Sequence, residues 1–322
     1  MAYPRHLLVP VDEAGTYHCV SRCVRRAFLC GEDTVTGRSF EHRRQWVESR
    51  IIELANIFAV AIHAYAVMSN HFHLVLEINP TATEQWSDEE VAARWLTLTI
   101  STDDQAPPLQ TRINALAEQS ERLTVLRQRL GSLSWFMRYL KEPIARRANR
   151  EDKCSGRFWE GRFKTQTLLD DSGVLASMVY VDLNPVRAGI TAMPETSVHT
   201  SVRVRANQIG ANNVGPMQPI ATSIRSQLAI TTATQYLELV DWTGRTLYPD
   251  KRGAINTAAP PIIKRLGLRT RQWCIAVPAT ESHYWRAIGQ ADALMAYAQK
   301  LGQKWLRGIG MARQLSRVPE SS

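Results

Sequence analysis

Two apolar runs lie almost back to back in this chain of 322 residues. Phe58–Met68 and His71–Ile78 are both rich in β-branched and aliphatic residues and predict two β-strands, with Ser69-Asn70 as a short connection or bulge. Side chains alternate across a strand, so one face of the second strand carries Phe72, Leu74, Leu76 and Ile78, and the other carries His71, His73, Val75 and Glu77. We expect the aliphatic face to pack on helices and the histidine face to be free to build a site.

The histidine face suggests a metal centre. Two imidazoles two residues apart on a strand, His71 and His73, can point at one divalent ion. The alternative is that they are polar groups satisfied on a half-exposed strand, because short motifs of this kind also recur by accident. The pair alone does not decide between these two interpretations.

A second segment, Asp171–Asn184, predicts a helix. Asp170 or Asp171 and Ser172 offer capping groups at its start, and Pro185 disfavours the helical conformation at Asn184, so we expect the helix to stop or kink there. Tyr180 and Asn184 are four residues apart and therefore share one helical face. Tyr180 is either an ordinary core tyrosine or a nucleophile assisted by a nearby metal.

Four segments together resemble a known family. The run Tyr65–Leu74 (YAVMSNHFHL) is similar to the signature of the HUH transposases with a single catalytic tyrosine. Gly156–Lys164 (GRFWEGRFK) and Tyr180–Gly189 (YVDLNPVRAG) resemble the REP-associated tyrosine transposase branch, and Tyr17–Arg22 resembles its first strand. These matches occur in the family order and cover about residues 15–200.

The resemblance implies a fold, a reaction and roles for residues. It implies an α+β fold, an antiparallel sheet with helices in a ferredoxin-like sandwich, followed by a mainly helical C-terminal region. His71, His73 and Asn184 match the metal ligands, and Tyr180 matches the nucleophile. The implied activity is a single-strand DNA endonuclease and strand transferase that forms a 5′-phosphotyrosine link on hairpin-forming DNA during transposition and recombination. Mg²⁺ or Mn²⁺ is the implied cofactor, although imidazoles would suit zinc equally well.

Basic residues predict contacts with DNA. Those nearest the matched motifs are Arg146, Arg147, Arg157, Arg162, Lys164 and Arg187. The net charge of +9 lies in the C-terminal part, because residues 1–194 carry 23 basic and 23 acidic side chains whereas residues 195–322 carry 16 and 7. A basic surface of this kind contributes affinity for phosphates without reading sequence.

The order of patterns predicts three parts. Residues 1–194 form the catalytic domain, with strand 17–24, helix 40–56, a helical insertion at about 79–131, helix 133–149 and a strand or strand pair at 157–169. Within the insertion, Ser87 caps one helix and Leu109–Leu130 forms another. Residues 195–230 read as a linker with little structure. Residues 231–322 read as a basic helical region with helices at 235–240, 261–268 and 282–306.

Composition narrows the setting of the protein. No segment is apolar enough to span a membrane and no secretory signal pattern is present, so we expect a cytoplasmic protein, monomer or homodimer, whose partner is single-stranded or hairpin DNA. The five cysteines form no C-x-x-C pair, and a site made of His18, Cys19 and Cys23 is a minor alternative. Two other functions remain open. One is a non-catalytic structured-DNA-binding or repressor protein, and the other is a zinc hydrolase that needs a third protein ligand.

Overall fold

A six-stranded sheet forms the centre of the protein. The computed structural model describes residues 13–24, 29–32, 37–99, 106–208, 215–226, 231–246, 273, 277 and 286–316. The strands are β1 (Gly15–Arg22), β2 (Val60–Val67), β3 (His71–Ile78), β4 (Lys164–Leu168), β5 (Ala221–Thr222) and β6 (Ala287–Ile288), in the order β5-β2-β3-β1-β4-β6. Neighbouring strands are antiparallel except β4 and β6, which are parallel. The predicted α+β class is confirmed.

Helices cover both faces of this sheet. They are α1 (His42–Ala55), α2 (Asp88–Leu98), α3 (Leu109–Ala117), α4 (Ser120–Leu130), α5 (Leu133–Glu151), α6 (Asp171–Arg187), α7 (Ser201–Gln208), α8 (Ala233–Thr246), α9 (Ala291–Lys300) and α10 (Ile309–Ser316). Two short 3₁₀ turns lie at Pro80–Gln85 and Pro194–Thr196. None of the helices in the described residues combines the length and the apolar character needed to cross a membrane.

The two faces of β3 enter two different cores. Phe72, Leu74, Leu76 and Ile78 pack in the larger core with α1, α5 and the helices of the insertion, as expected. The opposite face is not open, because α6 packs across it and encloses Val75 in a second core. Any site built on the histidine face therefore lies between the sheet and α6.

The insertion folds back on itself. Ser87 caps α2, and its side-chain oxygen accepts a hydrogen bond from the Glu90 amide at 3.1 Å, as predicted. The single helix predicted over Leu109–Leu130 is wrong, because the chain leaves helical geometry at Gln119 (φ −97°, ψ 75°) between α3 and α4. The break lets apolar side chains of both helices, Ile113 on α3 and Leu126 on α4, reach the same core. The strand or strand pair predicted at 157–169 is also shorter than expected, because only Lys164–Leu168 form β4.

Helix α6 runs through its proline. The predicted stop at Asn184 is wrong, since α6 continues to Arg187 with Pro185 inside it, and the alternative, a kink there, stays a prediction. A proline in a helix interior costs about 3 kcal/mol because one hydrogen bond is lost and the ring crowds the preceding turn. Here the residues from Gly173 to Val186 are all buried, and this packing offsets the loss. Asp170 caps the other end, accepting from the Gly173 amide at 2.8 Å.

Residues after 194 complete the same sheet. The interpretation of 195–230 as a linker with little structure is wrong for its described residues, because α7 buries Val202 against α6 and β5 pairs with β2. The helix predicted at 235–240 lies within the longer α8. The single helix predicted over 282–306 is wrong, since β6 precedes α9 there, and the helix predicted at 261–268 lies outside the described residues. The boundaries predicted for the catalytic domain and for the C-terminal region stay predictions.

Candidate functional site

The two histidines lie side by side in the middle of the sheet. In the antiparallel register, His71 is opposite Arg22 and His73 is opposite Val20, both on β1. Paired residues point to the same face, so Arg22 shares the face of the two histidines. The Nε2 atoms of His71 and His73 are 3.0 Å apart. His71 is partly exposed, whereas His73 is only 4% exposed.

Neighbouring side chains set the tautomer of each ring. A side-chain amide oxygen can only accept, so the 2.5 Å contact of His71 Nδ1 with Asn70 Oδ1 assigns the proton of His71 to Nδ1. In the same way His18 Nδ1 donates to Gln166 Oε1 at 2.7 Å, which leaves His18 Nε2 to accept from His73 Nδ1 at 3.0 Å. Both Nε2 atoms of the pair then carry lone pairs and face each other.

Burial keeps these rings neutral. Desolvation lowers the pKa of His18 to about 4. Desolvation, followed by the positive charges of Arg22 and of a protonated His18, lowers the pKa of His71 to about 4. The pKa of His73 is lowered further below its ordinary value, first by burial and then by the neighbouring His71 and His18. At neutral pH the pair therefore presents two uncharged nitrogen atoms whose lone pairs can bind a metal.

This donor arrangement fits a divalent cation. Two lone pairs 3.0 Å apart repel each other unless a positive charge lies between them. Two cis ligands of an octahedral ion with bonds of ~2.1 Å are separated by about 3.0 Å, the spacing seen here. Among the described residues no group of three or more His, Cys, Asp or Glu side chains could hold a metal, so further ligands would be of another kind, such as an amide oxygen.

Tyr180 lies against His73 and His18. Helix α6 carries its ring to the sheet, where it is edge-on to His73 with ring centroids 5.5 Å apart and to His18 at 5.9 Å. The guanidinium carbon of Arg187, two turns along the helix, is 5.3 Å from the centre of the Tyr180 ring. Tyr180 is 1% exposed, so the phenol is enclosed between helix and sheet.

Asn184 follows Tyr180 by one helical turn and lies on the same side of α6. Asn184 is 9% exposed. The Asn184 amide oxygen is a suitable ligand for a hard cation. Its role as a ligand stays a prediction.

A buried carboxylate anchors the helix that carries Tyr180. Asp182 accepts hydrogen bonds from Ser201, from the Val202 amide at 3.0 Å and from the Tyr236 hydroxyl at 2.5 Å. Burial raises the pKa of Asp182, whereas the charge of Arg205 and these hydrogen bonds oppose the rise. The contacts tie α6 to α7 and α8, so the position of Tyr180 depends on residues after the predicted catalytic domain.

The predicted DNA-contacting residues fall into separate groups. Lys164 is opposite Val20 in the sheet register, hence on the face of the histidines, and Arg187 contacts Tyr180. Arg146 and Arg147 lie on α5, in the helical layer on the opposite face. There Arg146 pairs with Glu142, and the guanidinium carbon of Arg147 is 3.8 Å from the centre of the Trp46 ring. Arg157 and Arg162 are exposed before β4. Their contacts with DNA stay predictions.

Sequence reasoning missed three residues of the site. His18 on β1 contacts His73, Gln166 on β4 contacts His18, and Arg22 lies across from His71. Alternation along β1 places His18 and Arg22 on one face, but only the pairing of distant strands brings that face to the histidines. The same alternation points Cys19 to the opposite face, into the larger core, so the alternative site of His18, Cys19 and Cys23 is wrong.

Comparisons with known proteins give a distant likeness. No family model matches the chain, and no curated protein matches it. The chain is similar to a solved structure described as "Structure of the REP associates tyrosine transposase bound to a REP hairpin". The two chains are 12% identical, with a TM-score of 0.37 over 67% of this chain and 90% of the other. A likeness this distant leaves the function to be argued from the site itself.

Proposed function

We propose that this protein is a metal-dependent single-strand DNA endonuclease and strand transferase that acts on hairpin-forming DNA through a 5′-phosphotyrosine intermediate. One observation carries the proposal. The Tyr180 ring contacts His73, whose Nε2 faces that of His71 at 3.0 Å, so a phenol and a pair of nitrogen donors meet in one enclosed site. Hairpin DNA as the substrate class follows from the sequence resemblance.

Each residue has a distinct task in this proposal. The Tyr180 oxygen attacks a backbone phosphorus, an O–P bond forms, and the P–O3′ bond breaks. The phenol loses its proton and the departing 3′ oxygen gains one, so the products are a 5′-phosphotyrosine and a free 3′-OH. Attack by the 3′-OH of a second strand reverses the step and joins the strands without an external energy source.

The charges around Tyr180 suit a phosphate. His71 and His73 would hold a divalent cation, with Asn184 as a further ligand, and Mg²⁺ or Mn²⁺ there would neutralise the phosphate and orient it. Arg187 beside the Tyr180 ring and Lys164 on the face of the histidines carry positive charges toward the same region. Phosphoryl transfer asks a protein mainly for such positioning and charge stabilisation.

A second candidate function is favoured by one observation. Tyr180 is only 1% exposed, and a phenol enclosed in this way does not meet a DNA phosphate unless α6 or a covering segment shifts. A non-catalytic protein that binds structured DNA would leave Tyr180 permanently enclosed. It predicts salt-sensitive hairpin binding and no cleavage with any metal.

One experiment separates the two candidates. A 3′-labelled single-stranded hairpin library is incubated with the purified full-length protein and Mg²⁺ or Mn²⁺, and the products are run on a denaturing gel. The proposal expects a labelled band at the size of the protein that is absent for Tyr180→Phe. Tight binding without such a band, across metals and sequences, would overturn the proposal in favour of the binding protein.

A further inference from the structure

We propose that His18, held by Gln166, is a positioning residue that fixes the His73 ring in the tautomer with its proton on Nδ1, so that Nε2 is kept as a donor for a divalent cation. This inference rests on the proposed function, which supplies the cation. His18 does not contact His73 through the Nε2 atom that faces His71. Its Nε2 contacts His73 Nδ1 at 3.0 Å, the nitrogen on the other side of the His73 ring from His71.

The sheet register builds this chain of three side chains. His18 and Gln166 are directly opposite each other in the β1–β4 pair, and His18 lies two residues from Val20, the partner of His73. Side chains on one face at such diagonal positions are within reach of each other. The His18 and His73 rings lie nearly parallel, at 13° with centroids 5.2 Å apart, so the contact fixes the ring plane as well as the proton.

Burial makes the arrangement consequential. His18 is 2% exposed, His73 4% and Gln166 8%, so water does not readily replace a hydrogen-bond partner that is removed from this group of three side chains. An unpaired polar group at such a position is costly, so the hydrogen bonds select one tautomer over the other. Groups that orient a ligand histidine in this way change metal affinity by about 10–100-fold when they are removed.

The direction of the hydrogen bonds from Gln166 through His18 to His73 is the point to be tested. With the Gln166 oxygen toward His18, protons lie on His18 Nδ1 and His73 Nδ1, and His73 Nε2 is a lone pair. If the amide were turned over, its NH₂ would donate to His18, both protons would move to Nε2 atoms, and His73 would donate to His71. The two directions assign opposite tautomers to His73, which is a measurable difference.

The first measurement needs no variant and no metal. Nitrogen chemical shifts of ¹⁵N-histidine in the full-length, metal-free protein near neutral pH distinguish a protonated from an unprotonated ring nitrogen. The proposal expects His73 to carry its proton on Nδ1, with Nε2 unprotonated. A proton on His73 Nε2 would overturn it. Because no cation is present, this result stands even if the proposed function fails.

The second measurement is Mn²⁺ affinity, followed by electron paramagnetic resonance. His18→Phe and Gln166→Leu remove an acceptor at similar volume, and each should weaken Mn²⁺ binding by about tenfold or more. His18→Gln keeps an acceptor near the position of Nε2, and Gln166→Glu can only accept. Both should stay within about threefold of the wild type. The matched control is His63→Phe, another buried histidine of the same sheet, which should not change Mn²⁺ affinity.

The outcomes separate the inference from the function on which it rests. Wild-type Mn²⁺ binding that is unchanged in folded His18→Phe and Gln166→Leu would overturn the positioning role and leave the proposed function standing. If the wild type binds no Mn²⁺ at all, the proposed function fails, and the tautomer of His73 alone then decides the inference. If His18→Phe does not fold, the pair Gln166→Leu and Gln166→Glu carries the same comparison.

Discussion

The ring of Tyr180 stands edge-on to the ring of His73, at an angle of 83° and with centroids 5.5 Å apart. This contact joins a strand in the middle of the sheet to a helix that comes much later in the chain. It brings the histidine pattern and the tyrosine pattern of the sequence into one site.

Tyr180→Phe should abolish the covalent DNA adduct and leave hairpin affinity within a few-fold of the wild type. The substitution removes only the hydroxyl, so the ring contacts with His73 and His18 are kept. The measurement is the labelled adduct on a denaturing gel, beside a filter-binding assay. Tyr65→Phe, in the larger core on the other face, is the control and should form adduct normally. Adduct formation by Tyr180→Phe would show that the nucleophile lies elsewhere.

The double variant His71→Ala, His73→Ala should make any residual cleavage insensitive to added Mg²⁺ or Mn²⁺. Both nitrogen donors of the facing Nε2 pair are then lost. The measurement is the cleavage rate over a range of metal concentrations, with Tyr180 unchanged. A double variant whose cleavage still rises with metal would rule out this pair as the cation site.

Lys164→Gln and Arg187→Gln should each weaken hairpin binding and reduce the dependence of affinity on salt by about one counterion. Lys164 lies on the face of the histidines and Arg187 lies against Tyr180. Arg146→Gln is the matched comparison, since Arg146 pairs with Glu142 on the opposite layer, and its effect should be smaller. Binding titrations at several salt concentrations measure these slopes. Equal effects from all three would place the DNA across both layers.

Asp182→Ala should lower the free energy of unfolding by about 3 kcal/mol, because three buried donors lose their acceptor. Ser201→Ala removes one donor and should cost about 1 kcal/mol. The control is Asp241→Ala, an exposed aspartate on α8 that pairs with Arg245, where the loss should be under about 0.5 kcal/mol. Urea unfolding measures all three. Similar losses for Asp182 and Asp241 would contradict the anchoring of α6.

Acid should destabilise the metal-free fold below about pH 6.5. The pKa of both His18 and His71 is lowered from 6.5 to about 4 in the folded protein. The unfolded chain therefore takes up protons over this range and the folded chain does not, so stability is full above about pH 6.5 and is lost toward pH 4. Urea midpoints across this window measure the effect. His18→Gln should flatten the dependence, and midpoints that stay constant down to about pH 5 would contradict the prediction.

Local patterns predicted the elements that bear the chemistry. Alternation gave the strand with His71 and His73, and capping at Asp170 together with the apolar stripe gave the helix with Tyr180. Both signals are contained in a few consecutive residues. The end of that helix was mispredicted. Pro185 disfavours helical geometry at the residue before it, which the sequence shows, but burial on all sides of α6 outweighs this preference.

The partners of His73 were beyond local patterns. His18 reaches His73, and Gln166 reaches His18, only because β1 pairs with both β3 and β4, and strand pairing over such separations leaves no periodic signature. The apparent linker was mispredicted for a related reason. Its residues are polar and turn-rich, yet Ser201 and the Val202 amide bind Asp182, a contact that depends on a helix earlier in the chain.

The two edges of the sheet are made late in the chain. β5 covers β2, and β6 covers β4, where the missing side chain of Gly173 leaves room for the Ile288 carbonyl, 2.8 Å from where a Cβ would stand. A ribosome that has released residues through β4 has therefore produced the histidines and strands but not the segments that seal them. In the nascent chain the β2 edge stays unpaired until β5 has been made, and the β4 edge stays unpaired until β6 has been made. The strands that carry the histidines are thus made well before both of their sheet edges are covered, and the polypeptide that lacks β6 is more exposed to aggregation than the finished sheet.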